Sequence, residues 1–97
     1  MITDKILKNA LIIDVRESFE FISKHIKGAL NLPLSSIPFK VEELKTQKRP
    51  LVLYCKSGNR SGQGVKFLKS NGLDDVYNGG SLADMVRRMD TLASYSM

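Results

Sequence analysis

The apolar positions of this chain alternate between short unbroken runs and stripes at helical spacing. "ALIID" (10–14) and "PLVLYC" (50–55) are continuous runs of strand length, which suits strands covered on both faces of a parallel sheet. Around them the spacing turns helical. Thr3 predicts a cap for a short turn through Lys8, and "SFEFISK" (18–24) predicts a short helix with Ser18 as its N-cap. "IKGALNLP" (26–33) holds a Lys27-Gly28 turn and a brief strand that Pro33 stops. Ser35 or Ser36 then caps a helix with Pro38 in its first turn, and Ile37, Val41 and Leu44 share its buried face. Ser61 to Asn71 predicts a further helix with Ser61, Val65 and Leu68 on one face, closed by Gly72. "DVYN" (75–78) is a weak strand. Ser81 and Asp84 have capping-box spacing before a stripe of Leu82, Met85, Val86, Met89 and Leu92, which reads as core packing.

Strands alternating with helices at this spacing predict an α/β domain with a mostly parallel sheet. In such sheets ligands sit beyond the carboxyl ends of the strands. Asp14 and Cys55 each stand at such an end.

Composition narrows the function more than the fold. Ninety-seven residues predict a single domain, 1–97, because a second would leave neither half with enough core. The chain is 42% hydrophobic and 26% charged, ordinary for a soluble globular protein. The aliphatic run from Ala10 stops at Asp14, too short for a membrane span or a signal peptide. The expected location is therefore cytoplasmic, or periplasmic if an export signal has been removed, with no membrane partner. One cysteine allows no internal disulfide, and one histidine argues against a His/Cys metal cluster, so no metal or other cofactor is expected. The net charge of +5 favours anionic partners, but the lysines are scattered, Trp is absent and no nucleic-acid motif is present.

The candidate chemistry lies in "YCKSGNRSG" (54–62). A strand ends at Cys55, a few residues turn, and a helix begins. Gly58 and Asn59 best tolerate the backbone angles that so tight a turn demands. Successive N–H groups then point inward as an anion nest, and the helix N-terminus adds its positive end. A sulfur beside that nest is stabilised as thiolate. An ordinary thiol with pKa about 8.5 is roughly 3% ionised at pH 7, and one shifted to about 6.5 roughly 75%. Such activation needs no histidine base. An inert core thiol is the alternative, since free cysteine is among the most buried residue types. Gly62 and Gly64 speak against it. Early in a helix they cost about 1 kcal/mol each relative to Ala, and close approach to loop and sheet is the natural reason for them.

Four blocks, "IIDVRESFEF", "HIKGALNLP", "CKSGNRSG" and "NGG", occur in an order and spacing that strongly resemble the single-domain rhodaneses, the thiosulfate sulfurtransferases. The likeness is greatest to the short bacterial phage-shock type and covers about residues 10–86. It implies a three-layer α/β sandwich with a central, mostly parallel sheet of four or five strands flanked by helices. It implies that Cys55 is the nucleophile, cycling between thiolate and persulfide. Its partners are then a small anionic sulfur donor and a thiophilic acceptor, cyanide, a thiol or an acceptor protein. Lys56, Ser57, Gly58, Asn59, Arg60 and Ser61 match the loop that holds the donor. Lys56 and Arg60 are expected to attract the dianion, although Arg60 also suits a pairing with a carboxylate. Asp14 and Arg16 match the family's "DVR" and are expected to fix the surroundings of the site, while His25 matches a histidine that ties down a turn.

The chain departs from the family in places. Lys24 stands where a glycine is usual, Asp84 where many relatives carry tryptophan, and little chain precedes Thr3 to form a first strand. Two other readings remain. Cysteine phosphatases and arsenate reductases use the same strand–loop–helix device with five residues between cysteine and arginine; here four lie between Cys55 and Arg60. A non-catalytic binding or regulatory module is the other, although such modules usually lack the cysteine.

Overall fold

The computed structural model describes residues 2–95. Its elements run α1 (Asp4–Asn9), β1 (Leu11–Asp14), α2 (Ser18–Ser23), β2 (Leu30–Asn31), a 3-10 segment (Leu34–Phe39), α3 (Val41–Lys45), β3 (Leu51–Cys55), α4 (Asn59–Ser70), β4 (Val76–Ser81) and α5 (Leu82–Tyr95). The strands form one sheet in the order β2-β1-β3-β4 with every neighbouring pair parallel. Among the described residues the sheet thus has four strands. The turn expected after Thr3 is the helix α1, capped by Thr3 Oγ1, which accepts the Ile6 N–H at 3.2 Å.

Side-chain alternation builds the layers. Ile13, Leu51, Leu53 and Cys55 point to one face and are covered with Ile37, Val41, Leu44 and Leu68 from the 3-10 segment, α3 and α4. Ile12, Val52 and Tyr54 point to the other and meet Leu7 of α1 and Met85 and Leu92 of α5. All five residues of β3 are buried, as a central strand with two covered faces requires.

Three details of the sequence reading change. The N-cap of α2 is Glu17, not Ser18: the Glu20 carboxylate, three residues on, accepts the Glu17 N–H at 3.0 Å and closes a capping box. The helix expected from Ser35 or Ser36 is split. Pro38 offers no N–H and disfavours the α region for Ile37, so the chain runs as 3-10 turns to Phe39 before α3 begins. Ile37, Val41 and Leu44 nevertheless share the buried face. Finally, α4 starts at Asn59, ahead of the expected Ser61, because Gly58 adopts φ +94° and turns the chain early.

The strand order locates the site. From β1 the chain moves outward to β2, then crosses to β3 and β4 on the other side of β1. The order reverses between β1 and β3, and a crevice opens beyond their carboxyl ends at such a reversal. Those ends are Asp14 and Cys55.

Candidate active site

Cys55 is fully buried, the last residue of β3. Its Sγ accepts the Gly58 N–H at 3.0 Å and the Ser61 N–H at 3.4 Å, and the Ser61 hydroxyl lies 3.4 Å away. The loop can curl this tightly because Gly58 takes a left-handed φ and packs against a second glycine. A Cβ at Gly58 would stand 3.3 Å from Gly80 Cα. Burial pushes the Cys55 thiol up; the Ser61 hydroxyl and the amides of Ser61, Ser57 and Gly58 outweigh it, and the thiol lies below its ordinary value. The two helix glycines act as the sequence predicts. A Cβ at Gly64 would meet Leu53 Cδ2 at 2.9 Å, and one at Gly62 would meet Asn78 Nδ2 at 3.3 Å. Larger residues there would lift α4 off the sheet.

Lys56, Ser57 and Asn59 are exposed around the mouth of the loop. Arg60 is not left facing solvent alone. Its guanidinium forks onto Glu20 of α2, Nη1 to Oε1 at 2.8 Å and Nη2 to Oε2 at 3.1 Å. This bidentate pair lowers the Glu20 carboxyl from its ordinary 4.5 to about 2, and holds Arg60 above its usual value with a further contribution from the Cys55 sulfur. Of the two loop cations, Lys56 is the one that carries no ion pair among the described residues.

Asp14 and Arg16 form a buried ion pair at the end of β1. Asp14 accepts the Arg16 backbone N–H at 2.9 Å, and its second oxygen accepts Nη2 at 2.8 Å. Arg16 also donates to Lys24 O at 2.6 Å, which fastens the end of α2. Asn31 Nδ2 donates to the carbonyls of Asp14 and Arg16, both at 3.0 Å, and so ties β2 to the same turn. Tyr54, buried beneath, accepts the Ile26 N–H on its hydroxyl at 3.1 Å; burial pushes its phenol up to about 12. His25 is exposed, stacks on Phe21 with ring centroids 3.7 Å apart, and bonds Phe21 O at 2.7 Å through Nδ1. It serves the turn after α2 and stands apart from the sulfur's hydrogen-bond partners.

Sequence reasoning missed Asn78 and Glu20. Asn78 reaches Ser61, Gly58 and Gly80 at once. Glu20 finds Arg60 forty positions along the chain. Both lie in the blocks quoted above, Glu20 in "IIDVRESFEF" and Asn78 in "NGG", but nothing local to either residue gives its partner. Among the described residues no group of three His, Cys, Asp or Glu side chains could hold a metal ion, and no helix is long and apolar enough to cross a membrane.

Residues 2–82 match the family described as "Rhodanese-like domain". The chain belongs to that family. The parallel four-stranded sheet flanked by helices is the fold of its rhodanese neighbours. Curated relatives include YqhL of Bacillus subtilis, 44% identical over 71 residues, a match covering 73% of this chain and 56% of that one. The thiosulfate sulfurtransferase PspE of Escherichia coli is 34% identical over 74 residues, covering 75% of this chain and 71% of that protein. The chain spans about half the length of the first curated relatives it matches. Among solved structures, a "rhodanese with anions from E. coli" superposes with a TM-score of 0.71 at 32% identity, over 77% of this chain and 89% of that one. The rhodanese-like fold and the likeness to the phage-shock type read from the four sequence blocks are both borne out.

Proposed function

We propose that the chain is a sulfurtransferase that carries sulfane sulfur as a Cys55 persulfide. The observation that carries the reading is the Cys55 Sγ held at a carboxyl strand end by the Gly58 and Ser61 amides, 3.0 and 3.4 Å away. A relative of known type, the thiosulfate sulfurtransferase PspE, supports it. The Cys55 thiolate attacks the outer sulfur of thiosulfate; a new S–S bond forms, the donor's S–S bond breaks, and sulfite leaves with the bonding pair. A nucleophilic acceptor, cyanide or a thiolate, then attacks the outer sulfur of the persulfide and Cys55 departs as thiolate. No oxidant or reductant is consumed. The loop amides that favour the thiolate also offset charge on the transferred sulfur. No metal or other cofactor takes part in this reading.

The test is intact mass after incubation with thiosulfate. A gain of about 32 Da, one sulfur atom, that cyanide discharges is the expected result. No gain with the thiol demonstrably free overturns the reading.

Lys56 supplies the accessible positive charge for an anionic donor. Arg60 contributes less than its formal charge, because Glu20 offsets it. Glu20→Gln is therefore expected to lower the KM for thiosulfate by about threefold to tenfold, as the freed guanidinium meets the dianion. Its kcat should change little. A raised KM would mean that Arg60 works only when Glu20 holds it in place. The same substitution has a pH signature. Glu20 ionises near 2 in the folded chain, below its ordinary 4.5, so its pairing stabilises the fold above about pH 4.5 and is lost as pH falls toward 2. The variant's stability should fall less than the native chain's over that acid window, read by unfolding at stepped pH.

A further inference from the structure

Asn78 is exposed on β4, yet both ends of its amide are engaged. Nδ2 donates to Gly58 O at 3.0 Å, and Oδ1 accepts the Gly80 N–H at 2.9 Å and the Ser61 hydroxyl at 2.7 Å. A carbonyl only accepts and a backbone N–H only donates, so these two partners fix which end of the amide is which. Ser61 must then donate to Oδ1. A hydroxyl has one proton, and the 2.7 Å contact to Asn78 outcompetes the 3.4 Å contact to Cys55 Sγ. With the proton committed to Asn78, the Ser61 oxygen turns its lone pairs to the sulfur. That arrangement accepts an S–H but repels a thiolate.

We propose that Asn78 is a positioning residue for Cys55: it holds the single Ser61 hydroxyl proton while the sulfur is neutral and cedes it when the sulfur is anionic. The inference rests on the reading of Cys55 as the nucleophile. In the thiol and in the persulfide, whose inner sulfur carries no charge, Ser61 donates to Asn78. When the thiolate forms, or when Cys55 departs from its persulfide, the hydroxyl rotates and donates to Sγ. Asn78 Oδ1 then keeps only the Gly80 N–H. No proton changes owner in this rotation, and the thiol proton itself goes to solvent. The Ser57, Gly58 and Ser61 amides are fixed donors, so among the described residues the Ser61 hydroxyl is the partner of the sulfur that can follow its charge through the cycle.

Charged groups around the loop that holds the sulfur include Lys56 and Arg60 in the loop itself, Glu20 of α2 and its cap Glu17 through Arg60, the Asp14–Arg16 pair at the end of β1, and Asp84 of α5 beside Gly80. Lys66 and Lys69 lie further along α4, and Arg87, Arg88 and Asp90 further along α5. Neutral substitutions at Ser61 and Asn78 leave all of these in place, so a change in thiol ionisation can be assigned to the hydrogen bonds.

The experiment is the pH profile of Cys55 alkylation by iodoacetamide in the native chain, Asn78→Ala, Ser61→Ala and the double variant, with folding checked by circular dichroism. Removing Asn78 has two effects: the Gly58 turn loses a support, and the Ser61 proton becomes free for the sulfur. The first is the same with or without Ser61 and cancels in a double-mutant cycle. The second exists only with Ser61. The shift in alkylation midpoint caused by Asn78→Ala is therefore expected to be lower by about 0.5 to 1 unit with Ser61 present than in the Ser61→Ala background. A difference of zero makes Asn78 a support of the loop alone and overturns the proposal. A difference of the opposite sign does so too, since it makes Asn78 an aid to Ser61 as donor. Should Asn78→Ala fail to fold, Asn78→Ser takes its place in the cycle, and Ser61→Ala alone still tests the donor that the proposal requires: its midpoint should rise, because a charge-assisted hydrogen bond to the thiolate is lost. An unchanged or lower midpoint overturns the proposal. The profile is taken on the sulfur-free thiol with no donor present, so persulfide formation can fail while this result stands, and the reverse.

Discussion

Cys55→Ser is expected to remove sulfur transfer entirely, with thiocyanate production falling by at least about 10³-fold. Serine keeps the size of the side chain and can take the same Gly58 and Ser61 amides, so the loop should persist and stability should change by about 1 kcal/mol or less. The chemistry cannot persist. A serine hydroxyl ionises far above neutral pH, so an alkoxide is not populated even in a cradle that lowers a thiol, and oxygen forms no stable counterpart of the persulfide. The check is threefold: thiocyanate formed from thiosulfate and cyanide, intact mass after thiosulfate alone, and the thermal midpoint as a control on folding. A variant within about tenfold of the native rate would mean that sulfur passes directly from donor to acceptor on the loop, without a covalent stop at Cys55.

Asp14→Ala is expected to be the most costly substitution for stability, at about 3–5 kcal/mol. Asp14 is fully buried, and the arginine it neutralises is only 6% exposed. Without the carboxylate, Arg16 keeps its bond to Lys24 O, while its Nε loses the acceptor it has among the described residues. An uncompensated buried charge is left. Against a typical total of about 5–15 kcal/mol this is a large fraction, and it predicts a drop in Tm on the order of 15 °C or more. The damage should extend to the site, since the same turn fastens the end of α2, which carries Glu20 and hence the tether to Arg60. Removing both charges separates the pair from its desolvation: Asp14→Leu with Arg16→Met should recover most of the lost stability, because a buried ion pair is often no better than apolar side chains of similar volume. A single-variant loss below about 1 kcal/mol would show that the pair behaves as a solvated surface contact.

The elements differ in how openly the sequence declares them. β3 is legible because five buried residues in a row leave one simple solution, a central strand. The stripe from Leu82 to Leu92 and the Ser81–Asp84 box are equally plain, and the box forms as expected, with Asp84 N–H to Ser81 Oγ at 3.0 Å and Ser81 N–H to Asp84 Oδ2 at 3.1 Å. The weak strand at 75–78 was harder. It runs on through Gly79 and Gly80 to Ser81, where propensity argues against a strand. Pairing with β3 overrides that propensity and introduces a register shift, with Leu53 opposite Asn78 but Tyr54 opposite Gly80. Gly79 is the residue left over, and a Cβ there would collide with Met85 Sδ at 2.7 Å.

For the site, the candidate nucleophile and its cradle are already written in the residues on either side of Cys55. The thiol, the left-handed turn at Gly58 and the helix that follows lie within a few residues of one another, so local backbone geometry suffices to bring the amides to the sulfur. The family is legible at the same level, because four blocks in fixed order carry that signal without any contact being known. What surrounds the cradle comes from packing between distant elements. Glu20 offsets the charge of Arg60, and Asn78 accepts the hydrogen bond of the Ser61 hydroxyl, across 40 and 17 positions of chain. Both partners are ordinary polar residues on their own elements. Their meeting depends on how α2 and β4 pack around the carboxyl end of β3, and no periodicity or cap encodes that long-range geometry.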